Sequence, residues 1–239
     1  MSGIVWLVGM VAFWLVAITA AYAWEKRLVW PYVPESLASP SQIPPPNSYA
    51  NKAAAAAAAA GFGHWGTFAD GKGKLYRVRY EFFRSPSGDA LALVGTGTVA
   101  GMALQATWVY SLLEDGRCFI TFDHQNGAEA DLTGTTEDAL IAGASFGNLL
   151  QTHRQRVAVA SCGIELFGEV DPLVAFRQYK QRRLQLLIAR GYAAYIDREN
   201  NAWRYTLKGA MIMSYNQYFT GLRRTVVSDK TQLAAKRRL

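Results

Sequence analysis

The residues able to do chemistry are few and scattered. The histidines are His64, His124 and His153 and the cysteines Cys118 and Cys162, with no C-x-x-C pair and no two histidines four apart as a helical zinc site requires. Asp123-His124 is the best-placed acid/base pair, because it falls just beyond a strand-like run and a carboxylate beside imidazole raises its pKa. Asp131 is close enough in sequence to join it. Adjacent residues on an extended chain nevertheless point in opposite directions, which leaves solvation in a polar loop as the simpler reading. His153 lies on an apolar helical stripe, where a hydrogen-bonded core histidine is commoner than a ligand. Neither cysteine has the neighbouring base and oxyanion donors of a nucleophile, so each reads as a small buried hydrophobe.

Two glycine-rich segments resemble phosphate loops only in letters. Gly61-Phe62-Gly63-His64-Trp65-Gly66 fits G-x-G-x-x-G, but an alanine-rich helix precedes it and a strand-like region follows, the reverse of a dinucleotide loop. Gly95 to Gly101 lacks the Gly-Lys-Ser/Thr ending and reads as a flexible loop between strands. No Walker loop, nucleophile elbow, kinase signature or H-E-x-x-H occurs, and no motif is specific enough to name a family. No catalytic, cofactor-binding or metal-binding residue and no cofactor is therefore assigned.

Charge gives the stronger signal. Of the 25 basic residues, 14 lie between Arg177 and Leu239 against three acidic ones, a net +11 that leaves −4 for the rest of a chain whose total is +7. Such asymmetry points to an anionic surface, whether lipid headgroups, an acidic protein or nucleic acid. Gly3 to Ala23 carries no charge and is long enough, at 1.5 Å per residue, to cross a hydrocarbon core, so a single transmembrane helix is expected. Ala21-Tyr22-Ala23 has the shape of a signal-peptidase site, but no basic residue precedes the run and the run exceeds a signal core. Lys26 and Arg27 after the helix place the N-terminus outside and the folded body in the cytoplasm by the positive-inside bias, with Trp24, Trp30 and Tyr32 near the headgroups.

These features divide the chain into an anchor with its basic flank (1–27), a proline-rich spacer (28–47), an α+β domain (48–225) and a basic tail (226–239). Six of the eight prolines fall between Pro31 and Pro46, which favours stiff extended chain. Asn51 to Ala60 reads as a helix closed by Gly61. Tyr76 to Phe82 alternates as a half-buried strand, with Ala90 to Val94 as its partner. Trp108 to Leu113 and Cys118 to Phe122 flank Asp115-Gly116, a tight hairpin signal. Phe146 to Val157 carries one apolar stripe, and Asp171-Pro172 opens a helix that Gly191 closes. Tyr192 to Ile196 and Trp203 to Leu207 form a third hairpin, followed by a helix from about Gly209 to Leu222. The expected class is α+β, an antiparallel sheet packed with helices after the N-terminal transmembrane helix.

The function expected is that of a single-pass membrane-anchored accessory or scaffold subunit, bound to the lipid bilayer and to a protein partner or membrane complex. Its binding residues are Trp24, Lys26, Arg27, Trp30, Arg177, Lys180, Arg182, Arg183, Arg223, Arg224, Lys236, Arg237 and Arg238. The alternatives are a membrane-tethered nucleic-acid-binding regulator, since helix, hairpin, helix suits part of a winged-helix binder, and an enzyme or small-ligand binder using a cleft near Asp123, His124 and His153.

Overall fold

The computed structural model describes residues 2–70, 76–99, 101–124, 131–160, 163–165 and 171–216, with side chains left out at 2–4, 7–8, 11, 165 and 172. Most of it is built around one large sheet. Strands β2 (Tyr32–Pro34), β3 (Gly63–Asp70), β4 (Tyr76–Arg84), β5 (Leu91–Val99), β6 (Met102–Leu113), β7 (Cys118–Phe122) and β8 (Thr136–Leu140) lie in sequence order across it. A short β9 (Ile164–Glu165) adds to the end of β6. Every neighbouring pair on this path is antiparallel except β7 and β8, which run parallel, so the sheet is mixed rather than purely antiparallel. The expected tight hairpin is present at Asp115-Gly116, where Gly116 takes φ +83 as the turn demands.

Alternation along the strands sorts the side chains onto two faces. Val78, Phe82, Leu91, Leu93, Trp108, Leu112, Ile120 and Phe122 form the core on one face, covered by Ala175, Phe176 and Tyr179 of α4 (Pro172–Ala189). Phe83, Ala92, Val94 and Val109 form the core on the other, covered by α2 (Ser48–Ala59) and α3 (Phe146–Ala158). The alanine run of α2 suits this position, since small side chains bring the helix close to the strands. Each covering helix has a side-chain cap, Asn47 on α2, Ser145 on α3 and Asp171 on α4, worth about 1 kcal/mol apiece.

A second, three-stranded sheet has the order β1 (Arg27–Leu28), β11 (Ala202–Tyr205), β10 (Ala193–Asp197). It shares a third core with α4 and with a helix over 207–216, α5, through Leu184, Leu187, Tyr205, Ala210 and Met213. The proline-bearing segment is woven into the domain: Leu28 pairs with Ala202, Val29 is buried, and Tyr32 to Pro34 pair with Asp70 to Phe68.

The membrane anchor is corrected. Among the described residues no helix is long and apolar enough to cross a membrane. α1 (Ser2–Trp24), whose side chains are described continuously from residue 12, ends as a packed element of the third core. There Tyr22 and Ala23 join the cluster, the Tyr22 ring meets Tyr205 edge-on at 6.4 Å, and Thr19 Oγ1 donates to Ser214 Oγ at 3.2 Å. The single-pass membrane protein with its N-terminus outside and its body in the cytoplasm falls with the anchor.

Two further expectations change. Gly95 and Gly97 lie inside β5 rather than in a loop, and the segment 136–140, which carries no clear strand pattern, forms β8. The G-x-G-x-x-G letters split between the turn that ends α2, where Gly61 takes φ +83, and the start of β3, which carries a bulge between His64 and Gly66.

Candidate functional site

His153 is held inside the protein rather than at a cleft. α3 lays it against the sheet, where its Nε2 meets Ser111 Oγ and its Nδ1 meets Thr121 Oγ1, both at 2.9 Å. Ser111 donates its own proton to the Asp89 carbonyl at 2.6 Å, so Nε2 must be the protonated nitrogen. Arg156 Nη1 donates to Thr121 Oγ1 at 2.7 Å, which leaves the threonine hydrogen for Nδ1. The network thus assigns the neutral Nε2–H tautomer. Burial, with Arg156 beside it, pushes the pKa of His153 down to about 3.

Asp123 is likewise engaged. Tyr49 of α2 donates to its Oδ2 at 2.6 Å and the Thr107 amide to its Oδ1 at 2.8 Å, a clasp between helix and sheet. Burial raises the pKa of Asp123 despite those bonds, and burial together with Asp123 holds Tyr49 well above the ordinary phenol range. His124 stands next to this clasp, whereas Asp131 lies elsewhere, bonded through Oδ1 to Arg183 Nε at 3.2 Å. His64 sits on β3 with its ring edge-on to Phe83 at 5.3 Å. Structure therefore does not bring Asp123, His124 and His153 to one cleft. Among the described residues no group of three His, Cys, Asp or Glu side chains could hold a metal ion. Cys118 is buried in β7, and Cys162 lies outside the described residues.

The expected binding residues part into outward and inward sets. Trp24 is 80% exposed, and Lys26 and Arg182 also face solvent. Arg27 pairs with Glu25 and stands over the rings of Tyr22, Trp203 and Tyr205 at 5.5, 5.8 and 5.0 Å. Trp30 packs on Phe82 and Phe176, with the Arg177 guanidinium 4.9 Å above it. Lys180 Nζ lies 5.3 Å over Phe176, and Arg183 is only 7% exposed. Arg223, Arg224, Lys236, Arg237 and Arg238 fall outside the described residues.

Two concavities stand out. An apolar groove of about 530 Å³ runs between α1, β11 and the start of α5, lined by Ala20, Ala23, Trp24, Tyr205 and Leu207, with Arg204 at its side. Leu207, Met211 and Tyr215 of α5 are exposed beside it. The second is a cavity of about 280 Å³ between the large sheet and α4, closed by β1 and Trp203. Arg27, Lys180 and Arg183 bring cations to its wall, and Asp70 of β3 brings a carboxylate. Sequence reasoning missed Asp70, Trp108 and Trp203 there. Only Arg183 left a trace: it falls at i+7 from Phe176 and i+4 from Tyr179, on the stripe that α4 buries.

Comparison of the chain with protein-family models, curated proteins and solved structures finds no match in any of the three.

Proposed function

We propose that this chain is a non-catalytic interaction protein, an accessory or scaffold subunit that docks a protein partner in the groove between α1, β11 and α5. The observation that carries this reading is the groove itself, with Trp24 four-fifths exposed at one end and Leu207 two-thirds exposed at the other. Exposed apolar surface runs along α1 through Trp6, Phe13 and Trp14 and reaches the groove at Trp24; contiguous apolar surface of this kind marks an interaction site, and tryptophan is among the residues most enriched in interface anchors. Exposed Arg204 lines one side of it, and the exposed Lys26 and Lys208 are near in sequence to its Trp24 and Leu207, so a partner with an apolar segment and a flanking acidic residue fits it.

The engagement of His153 and Asp123 in internal clasps supports a binding role over an acid/base one. Against a nucleic-acid-binding role, two of the α4 cations turn inward, Lys180 over Phe176 and the buried Arg183 onto Asp131, which leaves Arg177 and Arg182 as its outward charges.

The test is native mass analysis of the full-length protein purified with its companion from its own cells, beside Trp24→Ser and Leu207→Asp. A stoichiometric companion that both variants lose while keeping the wild-type melting curve supports the reading. A companion retained by both variants, or a solitary protein, contradicts it.

A further inference from the structure

We propose that α1 pairs with α1 of a second copy of this chain as an antiparallel two-helix coiled coil, which makes the protein a two-fold symmetric dimer. The pairing uses the outward stripe of α1; it goes beyond the groove reading and does not rest on it.

Spacing defines the stripe. Trp6, Met10, Phe13, Ala17, Ala20 and Trp24 follow one another at alternating steps of four and three residues, and all are apolar. That is the 3.5-residue repeat of a coiled-coil seam. With 3.6 residues per turn, the stripe lies about 150° round the helix from Thr19 and Tyr22, the side chains that fasten α1 to Ser214 and Tyr205. The seam therefore faces away from the body to which α1 is attached.

The seam is also large enough to need a cover. Trp6, Phe13 and Trp24 are 72–80% exposed and Met10 is 55% exposed, with Val5, Trp14 and Val16 exposed along its flanks. A buried aromatic side chain removes ~150–250 Å² from water, so this surface comes close to the ~800 Å² that each partner gives to a stable interface of standard size.

Side-chain size sets the direction of the pair. No residue from Gly3 to Ala23 is charged, so ion pairs beside the seam do not choose between parallel and antiparallel. With the two-fold axis midway between Phe13 and Ala17, Phe13 faces Ala17 of the second copy, Met10 faces its Ala20 and Trp6 faces its Trp24. Large meets small in the central layers, as a filled seam requires. A parallel pair would set Phe13 on Phe13 and Ala17 on Ala17, crowding one layer and leaving a void in the next.

The test co-expresses two differently tagged full-length copies in the protein's own cells, one with Phe13→Cys and the other with Ala17→Cys, and oxidises them. Wild-type copies are the blank for Cys118 and Cys162. A disulfide-linked species bearing both tags is expected, about tenfold more abundant than with Phe13→Cys in both copies, where the antiparallel register holds the two cysteines beyond the ~7 Å Cα separation of a disulfide. In sedimentation of the purified full-length protein, Ala17→Phe should weaken the dimer by about tenfold through overpacking. Phe13→Ala combined with Ala17→Phe, which exchanges large and small across the axis, should restore it. Leu207→Asp, which disables the groove, should leave the linking unchanged, so the two readings fail separately. Linking no stronger than the blank, stronger linking with Phe13→Cys in both copies, loss of linking in Leu207→Asp, or no recovery in the exchanged variant overturns the proposal. So does a protein that floats as a monomer with neutral phosphatidylcholine vesicles, since lipid would then cover the stripe.

Discussion

Asp131 and Arg183, 52 residues apart, meet through Oδ1 and Nε at 3.2 Å with each side chain more than nine-tenths buried. The contact ties the segment entering β8 to the middle of α4. Burial by itself would raise the carboxyl pKa, but Arg183 and the bonds from Thr133 and Thr136 outweigh it and hold Asp131 below the usual carboxylate range.

Removing one partner should therefore be far worse than removing both. Asp131→Leu or Arg183→Met is expected to cost about 3–5 kcal/mol, because the remaining group is buried without its counter-charge. The double variant Asp131→Leu with Arg183→Met should recover a good part of that loss. Urea unfolding of the four proteins reads the cycle, and single losses below about 1 kcal/mol would show that the pair does not tie the elements together.

His153 predicts how stability depends on pH. Its folded pKa of about 3 lies below the ordinary value of 6.5, so between those limits the unfolded chain binds a proton that the folded chain does not. Stability contributed by this residue is full above pH ~6.5 and falls by about 1.4 kcal/mol for each pH unit below it. Asp131 and Asp89, both lowered, add losses at still lower pH as they are protonated. His153→Gln should flatten the slope between pH ~6 and ~4; an unchanged slope would place the acid sensitivity elsewhere.

Gly97 offers a backbone test. It takes φ +147 inside β5, and a Cβ there would stand 2.0 Å from the Arg77 carbonyl oxygen. Gly97→Ala should cost at least ~2 kcal/mol, since the strand must move away from β4 to relieve the overlap. Gly101→Ala, with φ +82 but open space around it, is the milder comparison, and equal losses would contradict the overlap.

Local pattern made much of this fold legible. The alternation from Tyr76, the Asp-Gly turn, the stripe around His153 and the Asp171-Pro172 start all became the elements their chemistry specifies. What pattern could not carry was partnership. A run without charge from Gly3 to Ala23 reads the same whether its end meets lipid or packs on Tyr205, and only the fold brings Tyr205 there. Arg183 reads as a binding residue beside the other cations of α4 because charge argues for solvent, although its spacing from Phe176 and Leu187 matches the buried stripe. Asp70 and Trp203 could not be joined to Lys180 by any spacing, since they reach one cavity from β3, β11 and α4.

The docking groove is the central claim, and site-specific photo-crosslinking tests it most directly. A benzophenone side chain placed at Trp24 or Met211 of the full-length protein, with Ala58 on α2 as the remote control, is irradiated in its own cells. One discrete protein adduct at Trp24 and Met211, absent at Ala58 and lost on adding Leu207→Asp, is the predicted result. Adducts equally strong at Ala58, or unaffected by Leu207→Asp, would contradict it.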